Sequence, residues 1–276
     1  MSSILGLLCS VLGTISSSLC PDYAVDSSSQ GACTVARDVP LRMLAIGDSI
    51  TAGWGDPEQN SYRLPLWNRL EADCKERPIF FIGTRDSGSM SDNLHEGYPG
   101  YSAAKLATDI EYDLYVSLYL KPNVVFIHAG TNDCNDMLPQ PKSAEAAASN
   151  VGKLIDMAVN AVPNVTVLVA QIITSDVPGK EFMPMINRGI REVVAAKGDA
   201  GFKVMTIDMS RIGVDGTDLA DGLHPNPQGY RKMANLWFEV MQVASSKGWI
   251  TPPADVTFGS SRRSVRGQIE QLVGRQ

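Results

Sequence analysis

The sequence predicts an α/β fold in which a parallel β-sheet is covered by helices on both faces. Short apolar runs that suit buried strands alternate with longer stretches of helical character. The chain has 276 residues and a hydrophobic fraction of 44%, which is enough for one domain of this class and short for two.

Five apolar runs are predicted to be strands. The first covers residues 43–46 and ends at Gly47, and the others cover residues 79–82, 124–127, 165–170 and 204–207. Their apolar residues are continuous rather than alternating with polar ones, as expected of strands that are buried on both faces.

Helices are predicted between these strands and after the last one, over residues 62–74, 103–120, 143–161, 182–197 and 227–245. The last helix has the clearest limits, because Pro225 and Pro227 lie near its start and Gly248 follows its end. The domain is therefore predicted to span residues 41–250.

The two ends of the chain differ in composition from this domain. Residues 1–18 suggest a secretory signal peptide, because an apolar stretch is followed by small residues. No Lys or Arg precedes that stretch, so an intracellular location is the alternative. Residues 19–40 are interpreted as a linker or a loop draped on the domain, and residues 251–276 as a disordered basic tail.

Cleavage near residue 18 would leave four cysteines, Cys20, Cys33, Cys74 and Cys134. A secreted chain with an even number of cysteines can form disulfides, and the sequence leaves three pairings open. The pair Cys20–Cys33 closes the most local loop, so we expect it first.

The overall charge restricts the possible partners. The formal net charge is −6 and the sequence pI is about 5.1, so nothing indicates the basic face that binding of a nucleic acid would require, and no nucleic acid is expected as a partner. The apolar stretch at the N-terminus is too short to span a bilayer comfortably, so no stable membrane insertion is expected. The expected partner is a small-molecule or polysaccharide substrate, and the oligomeric state is open.

Small and polar residues follow three of the predicted strands. They occupy residues 47–51 (Gly-Asp-Ser-Ile-Thr), 130–133 (Gly-Thr-Asn-Asp) and 221–225 (Asp-Gly-Leu-His-Pro). Ligands of an open parallel sheet bind beyond the carboxyl ends of its strands, so these three segments are expected to meet there.

A serine nucleophile needs a base, and the chain has three histidines. His224 is the candidate base, because Asp221 precedes it by three residues and could hold the second ring nitrogen. His128 ends an apolar run and is expected to be a core histidine with satisfied hydrogen bonds, and the role of His95 is open. For a developing oxyanion, the Asn132 side chain and the backbone of residues 97–100 are candidate donors.

These segments resemble the conserved blocks of the GDSL, or SGNH, hydrolase superfamily. The first block has Ile50 in place of the usual Leu, and the third and fourth match closely. The resemblance implies a three-layer α/β/α sandwich with a parallel, flavodoxin-like, five-stranded sheet. It implies catalysis by Ser49, Asp221 and His224 without a metal or cofactor. The implied oxyanion donors are Ser49, Gly100 and Asn132, with Gly97 as a rival to Gly100.

A narrower resemblance concerns the substrate. Residues 95–101 (His-Glu-Gly-Tyr-Pro-Gly-Tyr) and the segment that follows Leu223 are similar to carbohydrate esterase family three, whose members include acetyl xylan esterases. This resemblance implies removal of acetyl groups from a carbohydrate such as xylan. Trp54, Tyr98 and Tyr101 lie near the blocks and are candidates for contact with a sugar ring.

Other classes of function fit the sequence less well. The Gly-x-Ser-x-Gly motif of the other serine hydrolase fold is absent, and the histidines lack the spacing of zinc ligands. A broader short-to-medium-chain acyl hydrolase remains an alternative. A catalytically inactive carbohydrate-binding protein is a further one, since fold alone does not guarantee activity.

Overall fold

A computed structural model of the chain describes residues 33–75, 77–135 and 141–255, without the side chains of 135 and 141–143. All of them belong to one compact unit, Cys33–Gln276. The predicted signal peptide, most of the predicted linker and most of the predicted tail lie outside the described residues. No helix in the described part is long and apolar enough to cross a membrane.

Seven strands form one sheet in the described part of the chain. They are β1 Leu41–Gly47, β2 Ile79–Ile82, β3 Arg85–Asp86, β4 Leu94–Gly97, β5 Val124–His128, β6 Thr166–Gln171 and β7 Val204–Asp208. The strand β1 lies inside the sheet: it pairs with β5 along one edge, and along the other edge it pairs first with β2 and then with β4. The path across the sheet is β3-β4-β1-β5-β6-β7, parallel except for the antiparallel pair β3–β4.

The predicted fold class is confirmed, and all five predicted strands are present. The sheet contains two further short strands, β3 and β4, that the sequence did not predict. β3 consists of only two residues, both exposed, and β4 has the sequence Leu-His-Glu-Gly. Neither strand therefore contains the apolar run of a buried strand.

Helices cover both faces of the sheet, which gives three layers. The helices are α1 Ser49–Ala52, α2 Arg63–Asp73, α3 Ala103–Thr108, α4 Glu111–Tyr119, α5 Thr131–Asn135, α6 Pro141–Ala161, α7 Met183–Asp199 and α8 Pro227–Ser246. The predicted helix over 103–120 is divided into two, α3 and α4. Met43 and Ala45 of β1 pack into one hydrophobic core, with α2 and α8, whereas Leu44 and Ile46 pack into the other, with α3, α4, α6 and α7.

The expected Cys20–Cys33 pairing is wrong, because Cys33 forms a disulfide with Cys74 at the end of α2. The segment after Cys33 is held beside the same helix. The Thr34 and Val35 N–H groups donate to the Asp73 carboxylate, and the Val35 side chain is fully buried. The disulfide pairing therefore follows from the packing of this segment against α2, and not from the length of the loop that the disulfide closes. Cys134 is a free, buried thiol.

Candidate active site

Ser49 lies where β1 passes into the short helix α1, at the carboxyl edge of the sheet. It is the first residue of that helix and is 4% exposed. Its Oγ is 2.9 Å from Nε2 of His224. The sheet therefore brings together a serine and a histidine that are separated by 175 residues.

Asp48 caps the helix that begins at Ser49. Its Oδ1 accepts a hydrogen bond from the Ile50 N–H at 2.9 Å, whereas its Oδ2 has no partner among the described residues. The carboxyl is fully buried, and this burial raises its pKa to about 7. The cap fixes the start of α1 and hence the backbone position of Ser49.

His224 lies in the loop between β7 and α8, next to the carboxylate of Asp221. The two side chains meet through Nδ1 and Oδ2 at 2.7 Å, and Oδ1 accepts from the N–H groups of Leu223 and His224 at 3.0 and 2.7 Å. Partial burial alone would raise the pKa of Asp221, but these hydrogen bonds outweigh it and hold the pKa below its usual range. An ionised Asp221 keeps the proton on Nδ1, so Nε2 can accept the Ser49 proton.

Two residues that no sequence motif marks, Gly55 and Tyr230, hold this loop close to Ser49. Gly55 has a φ of +87°, and a Cβ at this position would lie 2.8 Å from the Cβ of His224, so only glycine permits the close approach. The Tyr230 hydroxyl contacts the carbonyls of Ile50 and Trp54 at 3.0 and 2.6 Å. Neither residue carries a catalytic group that a motif would reveal.

The two candidate glycines of the second block differ in what their N–H groups do. The Gly97 N–H donates to Nδ1 of His95 at 2.9 Å and is therefore already used. Gly100 lies in a turn closed by the bond from the Tyr101 N–H to the Tyr98 carbonyl, and its φ is +77°. Among the described residues no acceptor is found for the Gly100 N–H, so this group remains available to a ligand.

Asn132 lies in the first turn of α5, after β5. Its Nδ2 donates one hydrogen to the Tyr101 carbonyl at 3.1 Å. Because an amide nitrogen carries two hydrogens, the second can still serve a ligand. The same bond joins Asn132 to the turn that contains Gly100.

The three aromatic candidates occupy different environments. Trp54 is 48% exposed, and its ring centroid is 5.4 Å from that of His224. Tyr98 is only 6% exposed, and its hydroxyl is 2.7 Å from the Glu96 carboxylate. Tyr101 is partly buried, with its ring 5.3 Å from that of Tyr98. Trp54 therefore presents a face to solvent, whereas the Tyr98 ring is almost completely buried and offers little surface to a sugar.

The other two histidines are both buried. His128 lies in the core, as expected, but the expectation that it is satisfied is wrong, because neither ring nitrogen has a hydrogen-bond partner among the described residues. His95 bonds to Ser87 and to the Gly97 N–H. Within the described residues, no group of three or more His, Cys, Asp or Glu side chains could hold a metal ion.

A parallel α/β sheet with a hydrogen-bonded serine, histidine and aspartate at its carboxyl edge is typical of an ester hydrolase. The chain belongs to the GDSL-like lipase/acylhydrolase family, which it matches over residues 45–232. This match contains the segments of Ser49, Asn132 and His224.

Solved structures and curated relatives agree with this membership. A family 3 carbohydrate esterase from Clostridium thermocellum is 32% identical, with a TM-score of 0.61 over 74% of this chain and 98% of that one. A carbohydrate esterase family 3 structure from Talaromyces cellulolyticus, at 22% identity, has a TM-score of 0.61 over 75% of this chain and 99% of that one, and it shows the fold alone.

The curated relatives are longer proteins. A protein of Acetivibrio thermocellus with the provisional name endoglucanase X is 37% identical over 120 residues, which are 43% of this chain and 49% of that protein. A multidomain esterase of Ruminococcus flavefaciens is 25% identical over 80% of this chain and 31% of its own length. The chain thus spans half or less of the curated relatives that it matches.

Proposed function

We propose that the protein hydrolyses carboxylic esters through an acyl-enzyme intermediate formed on Ser49. The observation that carries this proposal is the chain of hydrogen bonds from Ser49 through His224 to Asp221. Ser49 Oγ attacks the ester carbonyl while its proton passes to His224 Nε2. The imidazolium returns that proton to the leaving alcohol, and water, activated by the same ring, then releases the acid.

The oxyanion of each tetrahedral intermediate is stabilised by three donors in this proposal: the Ser49 N–H, the Gly100 N–H and the Asn132 side chain. The free N–H of Gly100 and the second amide hydrogen of Asn132 support it. Donors that are held in place before the reaction need no reorganisation when the negative charge develops.

The proposed substrate is a carbohydrate that carries short acyl esters, namely acetyl groups on a polymer such as xylan. Similarity to the family 3 carbohydrate esterase supports it, as does the loop over residues 95–101. The exposed Trp54 ring beside His224 offers a flat apolar face on which a sugar ring could stack. A hydrolase of longer acyl chains is the alternative, since the matched family includes lipases by name.

Secretion is a further part of the proposal. The Cys33–Cys74 disulfide supports it, because disulfides persist in oxidising compartments. We expect the exported protein to lack about its first eighteen residues, following the signal-peptide pattern. Mass spectrometry of protein exported by a secreting host tests this, and an intact N-terminus with reduced cysteines would contradict it.

The decisive experiment compares wild type with Ser49→Ala on nitrophenyl esters of increasing chain length and on acetylated xylan. We expect acetyl esters to be cleaved much faster than octanoyl esters, xylan to release acetate, and Ser49→Ala to lose nearly all activity. Near wild-type turnover of the variant would refute the mechanism. A maximum at eight carbons or longer would refute only the acetyl assignment.

An inactive carbohydrate-binding protein is distinguished by a serine-directed phosphonate. An active esterase reacts covalently with it at Ser49, whereas an inactive binding protein does not react. His224→Ala serves as the matched control, since it retains the Ser49 hydroxyl but removes the base that activates it.

A further inference from the structure

The protein contains a second serine–histidine pair outside the proposed catalytic residues, and the histidine of this pair is buried. Ser87 Oγ is 2.7 Å from Nε2 of His95, a distance similar to that in the Ser49–His224 pair. His95 is 1% exposed. The proposed reaction uses neither residue, so the pair needs its own explanation.

The direction of the hydrogen bonds excludes Ser87 as a nucleophile activated by His95. Nδ1 of His95 accepts the Gly97 N–H at 2.9 Å and therefore carries no proton. A neutral imidazole then holds its proton on Nε2 and donates it to Ser87 Oγ. His224 is in the opposite state, with the proton on Nδ1 and a free acceptor at Nε2. His95 can therefore orient Ser87 but cannot take its proton.

The remaining bonds of Ser87 connect His95 to the helix of the proposed nucleophile. Ser87 Oγ donates to the carbonyl of Ala52, the last residue of α1, and accepts from Nη2 of Arg63 at 3.0 Å. Arg63 is fully buried, and its Nη1 donates to the Asn93 carbonyl at 2.7 Å. Every bond in this network has one possible direction, from Arg63 and His95 to Ser87 and from Ser87 to Ala52.

The same network reaches the loop of the proposed oxyanion hole. A Cβ at position 97 would lie 2.7 Å from the Ala52 nitrogen, so the loop and α1 are in close contact at Gly97. The next N–H in the chain, that of Tyr98, donates to the Gly47 carbonyl at 2.9 Å. Through its bond to the Gly97 N–H, His95 thus fixes the residue that directly precedes the turn with Gly100.

We propose that His95 is a positioning residue, which uses its Nδ1 to orient Gly97 and its Nε2–H to tie the oxyanion loop, through Ser87, to the helix of Ser49. This inference rests on the proposed function of Ser49 and Gly100. The neutral ring that it requires is favoured, because burial, followed by the charges of Arg63 and Arg85, holds the pKa of His95 well below its usual range.

Two substitutions at position 95 separate the two hydrogen bonds. In His95→Asn the amide oxygen can take the place of Nδ1 and accept from Gly97, whereas in His95→Gln the longer amide reaches Ser87 and leaves the Gly97 N–H without an acceptor. We expect His95→Gln to lower kcat for nitrophenyl acetate about tenfold to a hundredfold with little change in KM, since misplaced donors act on the transition state. His95→Asn keeps the Gly97 bond and loses only the Ser87 bond, so it should retain more kcat than His95→Gln.

Rates are expressed per active site, titrated with a serine-directed phosphonate, and thermal unfolding is recorded for each variant. A purely structural role predicts equal destabilisation of both variants and an unchanged kcat per titrated site, which would overturn the inference.

Ser87→Ala is the second variant if His95→Gln does not fold, and Ser89→Ala is its control. Ser89 lies in the same segment, but its hydroxyl bonds to Glu58 at the surface. We expect Ser87→Ala to lower kcat about tenfold or more while Ser89→Ala has no effect. A wild-type kcat in Ser87→Ala would reject the inference. Full activity of Ser49→Ala would instead reject the proposed function itself.

Discussion

The Asp221 carboxylate lies at the surface, since its side chain is 54% exposed, but both of its oxygens accept hydrogen bonds from the protein. Its Oδ2 holds Nδ1–H of His224, and its Oδ1 accepts two backbone N–H groups. In Asp221→Asn one carboxylate oxygen becomes a donor, so the amide can serve either the ring or the backbone, but not both.

We therefore expect Asp221→Asn to lower kcat about a hundredfold or more, up to the ~10⁴-fold typical of a buried triad acid. Steady-state kinetics with nitrophenyl acetate measures the loss. Asp176→Asn is a matched control, because its exposed carboxylate pairs with Lys180 in the neighbouring loop. A kcat within a few-fold of wild type in Asp221→Asn would show that the backbone alone orients His224.

Asn132 supplies the proposed donor that can be removed without changing the backbone. Its amide also donates to the Tyr101 carbonyl, so the side chain is already oriented before a substrate binds. Asn132→Ala should lower kcat about a hundredfold to a thousandfold and leave KM almost unchanged, because the bond strengthens mainly in the transition state. An increase in KM at constant kcat would assign Asn132 to ground-state binding instead.

Single residues show what could be predicted of the site. The residue types and order of three blocks were enough to name Ser49, Asn132 and His224, which the fold brings to one edge of the sheet. The choice between Gly97 and Gly100 could not be made from the sequence, because it depends on which N–H is taken by His95. That bond is a tertiary contact, and no local pattern reveals it.

At the scale of the elements, prediction succeeded where apolar residues form continuous runs. The strands β1, β5 and β6 are almost completely buried on both faces, so apolar residues dominate their sequences. β2 and β7 are partly exposed but still contain apolar runs that could be recognised. The strand β4 is buried too, but its polar side chains are satisfied by distant partners: His95 by Ser87, and Glu96 by Thr84 and Ser117. Such a strand cannot be recognised before those partners are known.

The disulfide joins the segment before β1 to the end of α2 across 41 residues of sequence. Closing a loop of this length in the unfolded chain stabilises the folded state by about 4 kcal/mol in the chain-entropy account. We expect Cys33→Ser/Cys74→Ser to lose stability of that order in urea unfolding, while kcat at low temperature is unchanged. A double variant as stable as wild type would mean that the bonds to Asp73 already hold the segment.

On the scale of the whole molecule, two buried groups make the stability depend on pH in opposite directions. Burial lowers the pKa of His128 from 6.5 to about 4, and it raises that of Asp48 from 3.8 to about 7. Below pH 6.5 the unfolded chain protonates His128 before the folded protein does, so acid weakens the fold through this residue. Asp48 acts in the reverse sense, because the folded protein holds its proton up to about pH 7.

Variants of these two residues should therefore change the slope of stability against pH with opposite signs between about pH 6.5 and 4. At about 1.4 kcal/mol per pKa unit, each contribution is of the order of 3 to 4 kcal/mol over that interval. His128→Leu removes the acid penalty, so its stability relative to wild type should rise as the pH falls. Asp48→Asn keeps an acceptor for the Ile50 N–H but removes the ionisable group, so its stability relative to wild type should fall as the pH falls.

Urea unfolding at several pH values measures both slopes, and the contributions of the other carboxylates cancel in each comparison with wild type. Parallel curves for wild type and His128→Leu would show that the histidine ring takes up its proton in the folded protein without a penalty.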